Sequence, residues 1–147
     1  MIRLFDYALS GNCYKVRLLL RFLGLKYELV PVDFYPGLEH RSESFLRINP
    51  LGQLPVLEVD GAYLRDAQAI LVYLGATQDA GGRWYPLSQP ASLGAVQAWL
   101  SFADSLSSTL GALRLNAAMF MTADEKVLGK RALVLLRTLD KHLWFQE

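Results

Sequence analysis

The side chains best suited to chemistry lie in the turn that follows the first apolar segment. Ser10, Asn12 and Cys13 fall within four residues, where a run of apolar residues with helical spacing begins. Free backbone N–H groups and the helix dipole at such a point favour an anion, and a thiolate is one candidate. A hydroxyl that donates a hydrogen bond to sulfur lowers the pKa of a thiol. Ser10 or Asn12 could equally serve as an ordinary helix cap.

Cys13 is the only cysteine of the chain. The helix dipole could activate its thiol, although a single cysteine among apolar residues is more often a small buried hydrophobic residue. One cysteine cannot form an intramolecular disulfide, and no Cys/His spacing indicates a metal site. A reducing cytoplasm is the expected location. Tyr7, close to the same turn, is a further possible hydroxyl donor, or a packing residue.

A second candidate lies in the segment NPLGQLPVL, residues 49–57. A proline at the start of a strand can hold a cis peptide, because X-Pro is the only bond for which the cis form is cheap. Leu54 would then present its backbone N–H and C=O to an extended peptide, in the manner of an added strand. The alternative is that Pro55 merely begins a strand.

Composition narrows the choice of function. The 147 residues are 52% hydrophobic and 20% charged, with a formal net charge of +1, which indicates an ordinary soluble globular protein. Such a balance argues against nucleic acid or a membrane as the main partner, since phosphate binding needs a concentrated positive field. No apolar stretch approaches the ~20 residues of a membrane span, and the first residues are too weakly apolar for a signal peptide.

Hydrophobic spacing predicts the elements that must position these residues, in the order β-α-β, a loop, then β-β-α. The first strand, helix and second strand should form a parallel pair with a right-handed crossover. Asp60-Gly61 predicts a two-residue hairpin, and Asp66 stands at a helix N-cap. The strands are expected at residues 2–6, 26–32, 55–59 and 62–65, and the helices after residue 12, around residues 44–47 and after residue 66.

The segment 79–89 holds two glycines and one proline with little periodicity, which predicts a linker. It would separate a domain of residues 1–78 from an all-helical region of residues 90–147. In that region, one apolar stripe runs from Leu93 to Leu113. A second stripe follows from about Ala123, so that two helices are expected.

Three motifs resemble the glutathione S-transferase family, in particular its bacterial theta- and nu-like members. They are SGNCYKVRLLL, FLRINPLGQLPVLEVDG and LRDAQAILVYL, and their order and spacing fit over residues 1–75. Residues 90–145 resemble the first two helices of the all-α domain of that family. The resemblance implies an α/β thioredoxin-like N-terminal domain with a cis proline at Pro55, followed by a shortened all-α domain.

The resemblance also implies roles at the thiol end of a glutathione site. Ser10 matches the serine that donates to the glutathione sulfur, and Asn12 matches an assisting asparagine. Gln53 and the backbone of Leu54, next to Pro55, would hold the cysteinyl part of the tripeptide.

The two ends of glutathione would meet other residues. His40 matches a histidine that meets the glycine carboxylate, although it could be a surface residue of a mobile loop. Asp66 matches the acidic residue that faces the γ-glutamyl amino group. Ala67 stands where the family usually has a serine, so one donor is missing. Glutathione binding should therefore be weakened but not abolished, because such a bond contributes about 1.5–3 kcal/mol.

The implied function is that of a cytoplasmic detoxification enzyme, a transferase that takes glutathione as co-substrate, needs no metal and activates the thiol for attack on an electrophile. Tyr7, Met119 and Phe120 would line the electrophile side. Alternatives are a glutathione-dependent disulfide reductase, in which Cys13 could form a mixed disulfide, and a non-catalytic scaffold. Family members continue beyond the point that corresponds to Glu147, so a truncated member is expected, with homodimer pairing through the third and fourth helices.

Overall fold

A computed structural model describes residues 1–119 and 124–144 of the chain. The chain divides into two compact units, Met1–Val96 and Gln97–Glu147. The regular elements up to residue 78 are four strands and three helices, with a short 3-10 helix at Glu39–Arg41. They are β1 (Ile2–Asp6), α1 (Gly11–Phe22), β2 (Glu28–Pro31), α2 (Glu43–Ile48), β3 (Val56–Val59), β4 (Ala62–Arg65) and α3 (Ala67–Gln78).

The four strands form one mixed sheet in the order β2-β1-β3-β4. β1 pairs in parallel with β2 and antiparallel with β3, and β3 pairs antiparallel with β4. Asp60 and Gly61 join the last two strands with φ angles of 49° and 84°, as a two-residue turn with two left-handed positions requires. The predicted βαβ-ββα arrangement is confirmed.

Two apolar clusters cover opposite faces of the sheet, because successive strand residues point to opposite sides. One cluster joins β1 and β3 to α1 and α3, which place apolar residues at helical spacing against the sheet. The other joins the same strands to α2. The first contains Leu4, Val16, Leu19, Leu20, Leu57, Ile70 and Leu74, and the second Phe5, Val32, Phe45 and Val56.

Two strands are shorter than the sequence pattern predicts. β2 covers only Glu28–Pro31, the four residues that pair with β1 in a register from Arg3–Glu28 to Asp6–Pro31. β3 begins at Val56, one residue after Pro55, which has no N–H to give to the ladder.

The segment after α3 is anchored by side chains. The carboxylate of Asp79 accepts hydrogen bonds from the N–H groups of Trp84 (2.6 Å) and Tyr85 (3.0 Å). Tyr85 is buried against Gly75, where an added Cβ would lie 2.5 Å from the Tyr85 Cβ, so only glycine fits there. Trp84 stacks on Phe22 with ring centroids 4.8 Å apart. The domain limits expected around this segment stay a prediction.

The chain beyond residue 89 is helical in its described part, with α4 (Pro90–Leu106), α5 (Ala112–Met119) and α6 (Glu125–Trp144). A π-helical segment, Ser107–Gly111, interrupts the single helix predicted up to Leu113. Its fully buried Thr109 donates its hydroxyl to the carbonyl groups of Ser105 (2.8 Å) and Leu106 (3.1 Å). Hydropathy alone cannot reveal this interruption, because the apolar spacing continues from Leu106 to Leu113 across it. Within the described ranges, each helix is too short or too polar to cross a bilayer.

Candidate functional site

Three of the predicted binding segments meet at one edge of the sheet. Phe5, near the carboxyl end of β1, pairs with Val56 at the start of β3, and Val56 pairs with Arg65 at the carboxyl end of β4. The turn after β1, the peptide before β3 and the residues after β4 therefore leave the sheet at the same edge. Helices α1 and α3 both begin there, so two positive dipole ends lie at this edge.

Ser10 is the N-cap of α1. Its Oγ accepts a hydrogen bond from the Cys13 N–H at 3.2 Å, while its own N–H donates to the Tyr7 carbonyl at 2.9 Å. A serine hydroxyl has one hydrogen to donate in addition to its acceptor capacity. Capping and donation to a ligand are therefore compatible functions of this side chain. Asn12 lies in the first turn of the same helix and is partly exposed.

An ion pair that the sequence did not predict supports this turn on its buried side. Asp6, the last residue of β1, is buried, and its carboxylate accepts a hydrogen bond from the Arg17 guanidinium. A second nitrogen of Arg17 donates to the Ala8 carbonyl at 3.2 Å. The only sequence signal was an acidic residue at the end of a short, largely apolar strand, and nothing local identified its partner.

Cys13 is completely buried in the first turn of α1. Burial raises the pKa of its thiol, and this outweighs the opposing hydrogen bonds with Ser10 and with the backbone of Tyr7. At neutral pH the thiol is therefore protonated and out of reach of solvent. Its environment is that of a packed hydrophobic residue, which disfavours a reactive role.

The peptide bond between Leu54 and Pro55 is cis, as predicted. Pro55 is buried, Leu54 is partly buried, and β3 begins at the next residue. The turn that leads into this peptide is held by Asn49, which is only 1% exposed. The sequence pattern places Asn49 within a motif but indicates no role of its own for the side chain.

Asp66 occupies an unusual backbone position. Its φ and ψ angles are 73° and 129°, in a region that residues with a Cβ rarely adopt and that often marks ligand sites. Its exposed carboxylate accepts a hydrogen bond from the Ala69 N–H at 2.9 Å and so caps α3. Ala67, the first residue of α3, is 2% exposed. The acidic side chain and the helix N-terminus therefore lie together at the sheet edge.

His40 is buried, unlike a histidine in a mobile surface loop. Its ring stacks on Phe34 with centroids 3.9 Å apart, and Phe34 contacts Tyr7 at 5.3 Å. Within the described residues, the His40 Nδ1 is buried without a hydrogen-bond partner. Burial lowers the pKa of His40, and the positive charge of Arg41 adds to this effect. Gln53 is exposed.

The roles of Tyr7, Met119 and Phe120 on the electrophile side stay predictions. Tyr7 is half-buried against Phe34. Met119 is the last residue of α5, and Phe120 lies outside the described residues.

This mixed sheet, with a cis proline and two helix N-termini at one edge, defines a thioredoxin-like α/β domain. Residues 4–83 match the family model described as "Glutathione S-transferase, N-terminal domain". The chain belongs to the glutathione S-transferase family.

Relatives extend this assignment along the chain. It is 42% identical over 79 residues to a maleylacetoacetate isomerase of Rhizobium meliloti, a match to 54% of this chain and 37% of that protein. It is 30% identical over 144 residues to glutathione S-transferase 3 of Zea mays, across 95% of this chain and 64% of the relative. The crystal structure of a possible glutathione S-transferase from Rhodopseudomonas palustris superposes with a TM-score of 0.86 at 29% identity, covering 99% of this chain and 66% of that one. This chain thus spans only part of the length of its relatives.

Proposed function

We propose that the protein binds glutathione at this edge of the sheet and activates its thiol for attack on an electrophile. The observation that carries the proposal is the meeting of three segments there: the Ser10 turn, the cis Leu54-Pro55 peptide and the Asp66 corner. A site for a tripeptide thiol needs a hydrogen-bond donor to the sulfur, a backbone partner for the peptide and an acidic group for the amino end. Each of these segments supplies one of them.

In this proposal the extended tripeptide lies across the edge. The backbone N–H and C=O of Leu54 pair with the cysteinyl residue, as an added strand would. The Asp66 carboxylate faces the γ-glutamyl ammonium group. The N-terminus of α3 at Ala67 attracts the γ-glutamyl carboxylate through its N–H groups. Gln53 and His40 serve the cysteinyl and glycine parts, and His40 would need to expose its ring edge to do so.

The proposed chemistry begins with a lowered thiol pKa. The Ser10 hydroxyl donates its hydrogen to the glutathione sulfur, and Asn12 is a second donor. The thiol proton passes to solvent, and the sulfur electron pair forms a bond to an electrophilic carbon. In a substitution, the leaving group departs with the electron pair of the broken bond. In an addition to an activated alkene, the π electron pair moves onto the activating group, and the resulting carbanion takes a proton from solvent.

The test compares two serine caps at different places in the fold. Ser10 and Ser42 each accept a hydrogen bond from the N–H three residues on, both at 3.2 Å, so removing either hydroxyl should cost a similar ~1 kcal/mol of stability. Calorimetry with glutathione at neutral pH and the ultraviolet absorbance of the thiolate across pH would be measured for wild type, Ser10→Ala and Ser42→Ala.

We expect the bound thiol of wild type to ionise below its free pKa. In Ser10→Ala this pKa should rise by about one to two units, the equivalent of a lost hydrogen bond to a charged group. Ser42→Ala should behave as wild type. A folded wild-type protein that binds no glutathione would refute the proposal, and equal thiol pKa values in all three would refute the role of Ser10.

A second candidate is glutathione-dependent isomerisation, favoured by the relative named maleylacetoacetate isomerase. Addition of the thiolate to a conjugated double bond, rotation and elimination would return glutathione unchanged. An assay with a cis-configured unsaturated diketo acid would separate this from conjugation, because no glutathione is consumed.

A disulfide reductase and a non-catalytic scaffold have less support. Reduction of disulfides through Cys13 is disfavoured because the thiol is buried and has a raised pKa. A non-catalytic scaffold draws support from Ala67, and the Ser10 experiment would reveal it as binding without thiol activation. We further propose that the protein is cytoplasmic and forms a homodimer. Sedimentation of the purified chain would test the dimer.

A further inference from the structure

Asn49 is a buried polar side chain in the turn before the cis peptide. It follows α2 and is 1% exposed, which requires that its amide find partners within the protein. The side-chain Nδ2 donates to the Gln53 carbonyl at 2.9 Å, and Oδ1 accepts from the Leu51 N–H at 3.2 Å. The backbone carbonyl of Asn49 accepts from the Gly52 N–H at 2.8 Å. These three bonds lie within one five-residue turn.

The bond to Gln53 has a consequence for the next residue. The carbonyl of Gln53 and the N–H of Leu54 belong to one planar trans peptide unit, so they point in opposite directions. When Asn49 draws the Gln53 carbonyl toward its buried amide, it turns the Leu54 N–H away from the interior.

The turn is also confined on its other side. Gly52 has a φ of 60°, and an added Cβ there would lie 2.9 Å from the His40 carbonyl oxygen. The turn therefore has no room to rotate toward the 3-10 helix that carries His40.

We propose that Asn49 is a positioning residue, which aims the Leu54 N–H at the cysteinyl backbone of glutathione. The inference rests on the proposed function and adds to it the residue that orients the ligand-facing peptide. Asn49 itself is buried beneath the turn and does not touch the ligand.

The test uses an isosteric change. Asn49→Asp keeps the acceptor for the Leu51 N–H but replaces the donor by an oxygen that the Gln53 carbonyl repels. Ser42→Ala is the control, since it weakens the start of α2 without altering this peptide. For the full chain, calorimetry gives the glutathione affinity, and the residual dipolar coupling of the Leu54 N–H in isotope-labelled protein gives the direction of that bond.

We expect Asn49→Asp to weaken glutathione binding by roughly tenfold or more and to change the Leu54 coupling, while Ser42→Ala does neither. A general loss of stability would not produce this difference. If Asn49→Asp binds glutathione as wild type does and its Leu54 coupling is unchanged, the inference is wrong.

The two proposals can fail separately. If the wild type binds no glutathione but the coupling changes in Asn49→Asp alone, the assignment of the ligand fails and the orienting role of Asn49 stands. Should Asn49→Asp not fold, Asn49→Ser takes its place, because its shorter hydroxyl cannot reach both partners. The same two readouts then decide.

Discussion

Asp6 and Arg17 form an ion pair that joins the end of β1 to the second turn of α1. The two residues flank the turn that carries Ser10, and Arg17 also donates to the Ala8 carbonyl inside it. The side chain of Asp6 is 4% exposed and that of Arg17 is 23% exposed. The pair therefore fixes the path of the chain between the sheet and the proposed thiol donor from the buried side.

Removal of the cation should be costly for stability. Arg17→Met leaves the Asp6 carboxylate buried without its charge partner, and we expect a loss of about 3 kcal/mol in the free energy of unfolding. The matched control is Arg47→Met, which breaks an exposed pair with Glu43 and should cost less than about 0.5 kcal/mol. Urea denaturation measures both. Similar losses in the two variants would mean that the Asp6–Arg17 pair does not support the turn.

His40 should make the stability of the fold depend on pH. Burial, with Arg41 adding to it, holds the pKa of His40 in the folded protein below its usual value of about 6.5. The unfolded chain therefore binds the proton first, and stability falls as the pH drops below that value. His40→Phe keeps a ring against Phe34 but cannot titrate. Unfolding measured between pH 7 and pH 5 should show a shallower pH dependence in this variant, and an unchanged slope would contradict the assignment.

The Cys13 thiol should be inert in the folded protein. It is completely buried and its pKa is raised, mainly by burial, so both access and thiolate are lacking. We expect a thiol-specific reagent at neutral pH to modify the native chain at least about a hundredfold more slowly than the urea-unfolded chain. Mass spectrometry of timed samples would follow the reaction. Rapid modification of the native protein would restore the cysteine route to disulfide reduction.

Hydrophobic periodicity and turn residues were enough to predict the first part of the fold. The spacing of apolar residues located the four strands, and Asp60-Gly61 located the hairpin, because these signals are local. The cis peptide at Pro55 was predicted only with the help of the family resemblance, since the same proline could merely have begun a strand. Local patterns thus sufficed for the strands and the hairpin, but not for the cis or trans form of the Leu54-Pro55 peptide.

Contacts between distant residues could not be predicted in the same way. The partner of Asp6 lies eleven residues on, and the burial of His40 depends on its stacking against Phe34. The π-helical segment around Thr109 leaves no trace in the apolar spacing. For Ser10, the sequence posed a choice between cap and ligand donor, whereas the observed cap geometry is compatible with both.

Ala67 offers the most direct test of how far this site departs from the family pattern. Serine at this position would add a hydroxyl at the first residue of α3, where the γ-glutamyl carboxylate is proposed to bind. Because Ala67 is 2% exposed, the added oxygen must fit against packed neighbours, and we expect Ala67→Ser to cost the ligand-free protein about 1 kcal/mol. With glutathione the hydroxyl gains a charged acceptor, and the affinity should rise by roughly tenfold to hundredfold. Thermal unfolding would show both effects. Without glutathione, the melting temperature of Ala67→Ser should be lower than that of wild type, and glutathione should raise it by a larger amount.

The control is Ala69→Ser, an exposed position of the same helix turn, which should change neither quantity. A weaker ligand-induced increase in Ala67→Ser than in wild type would place the γ-glutamyl group elsewhere.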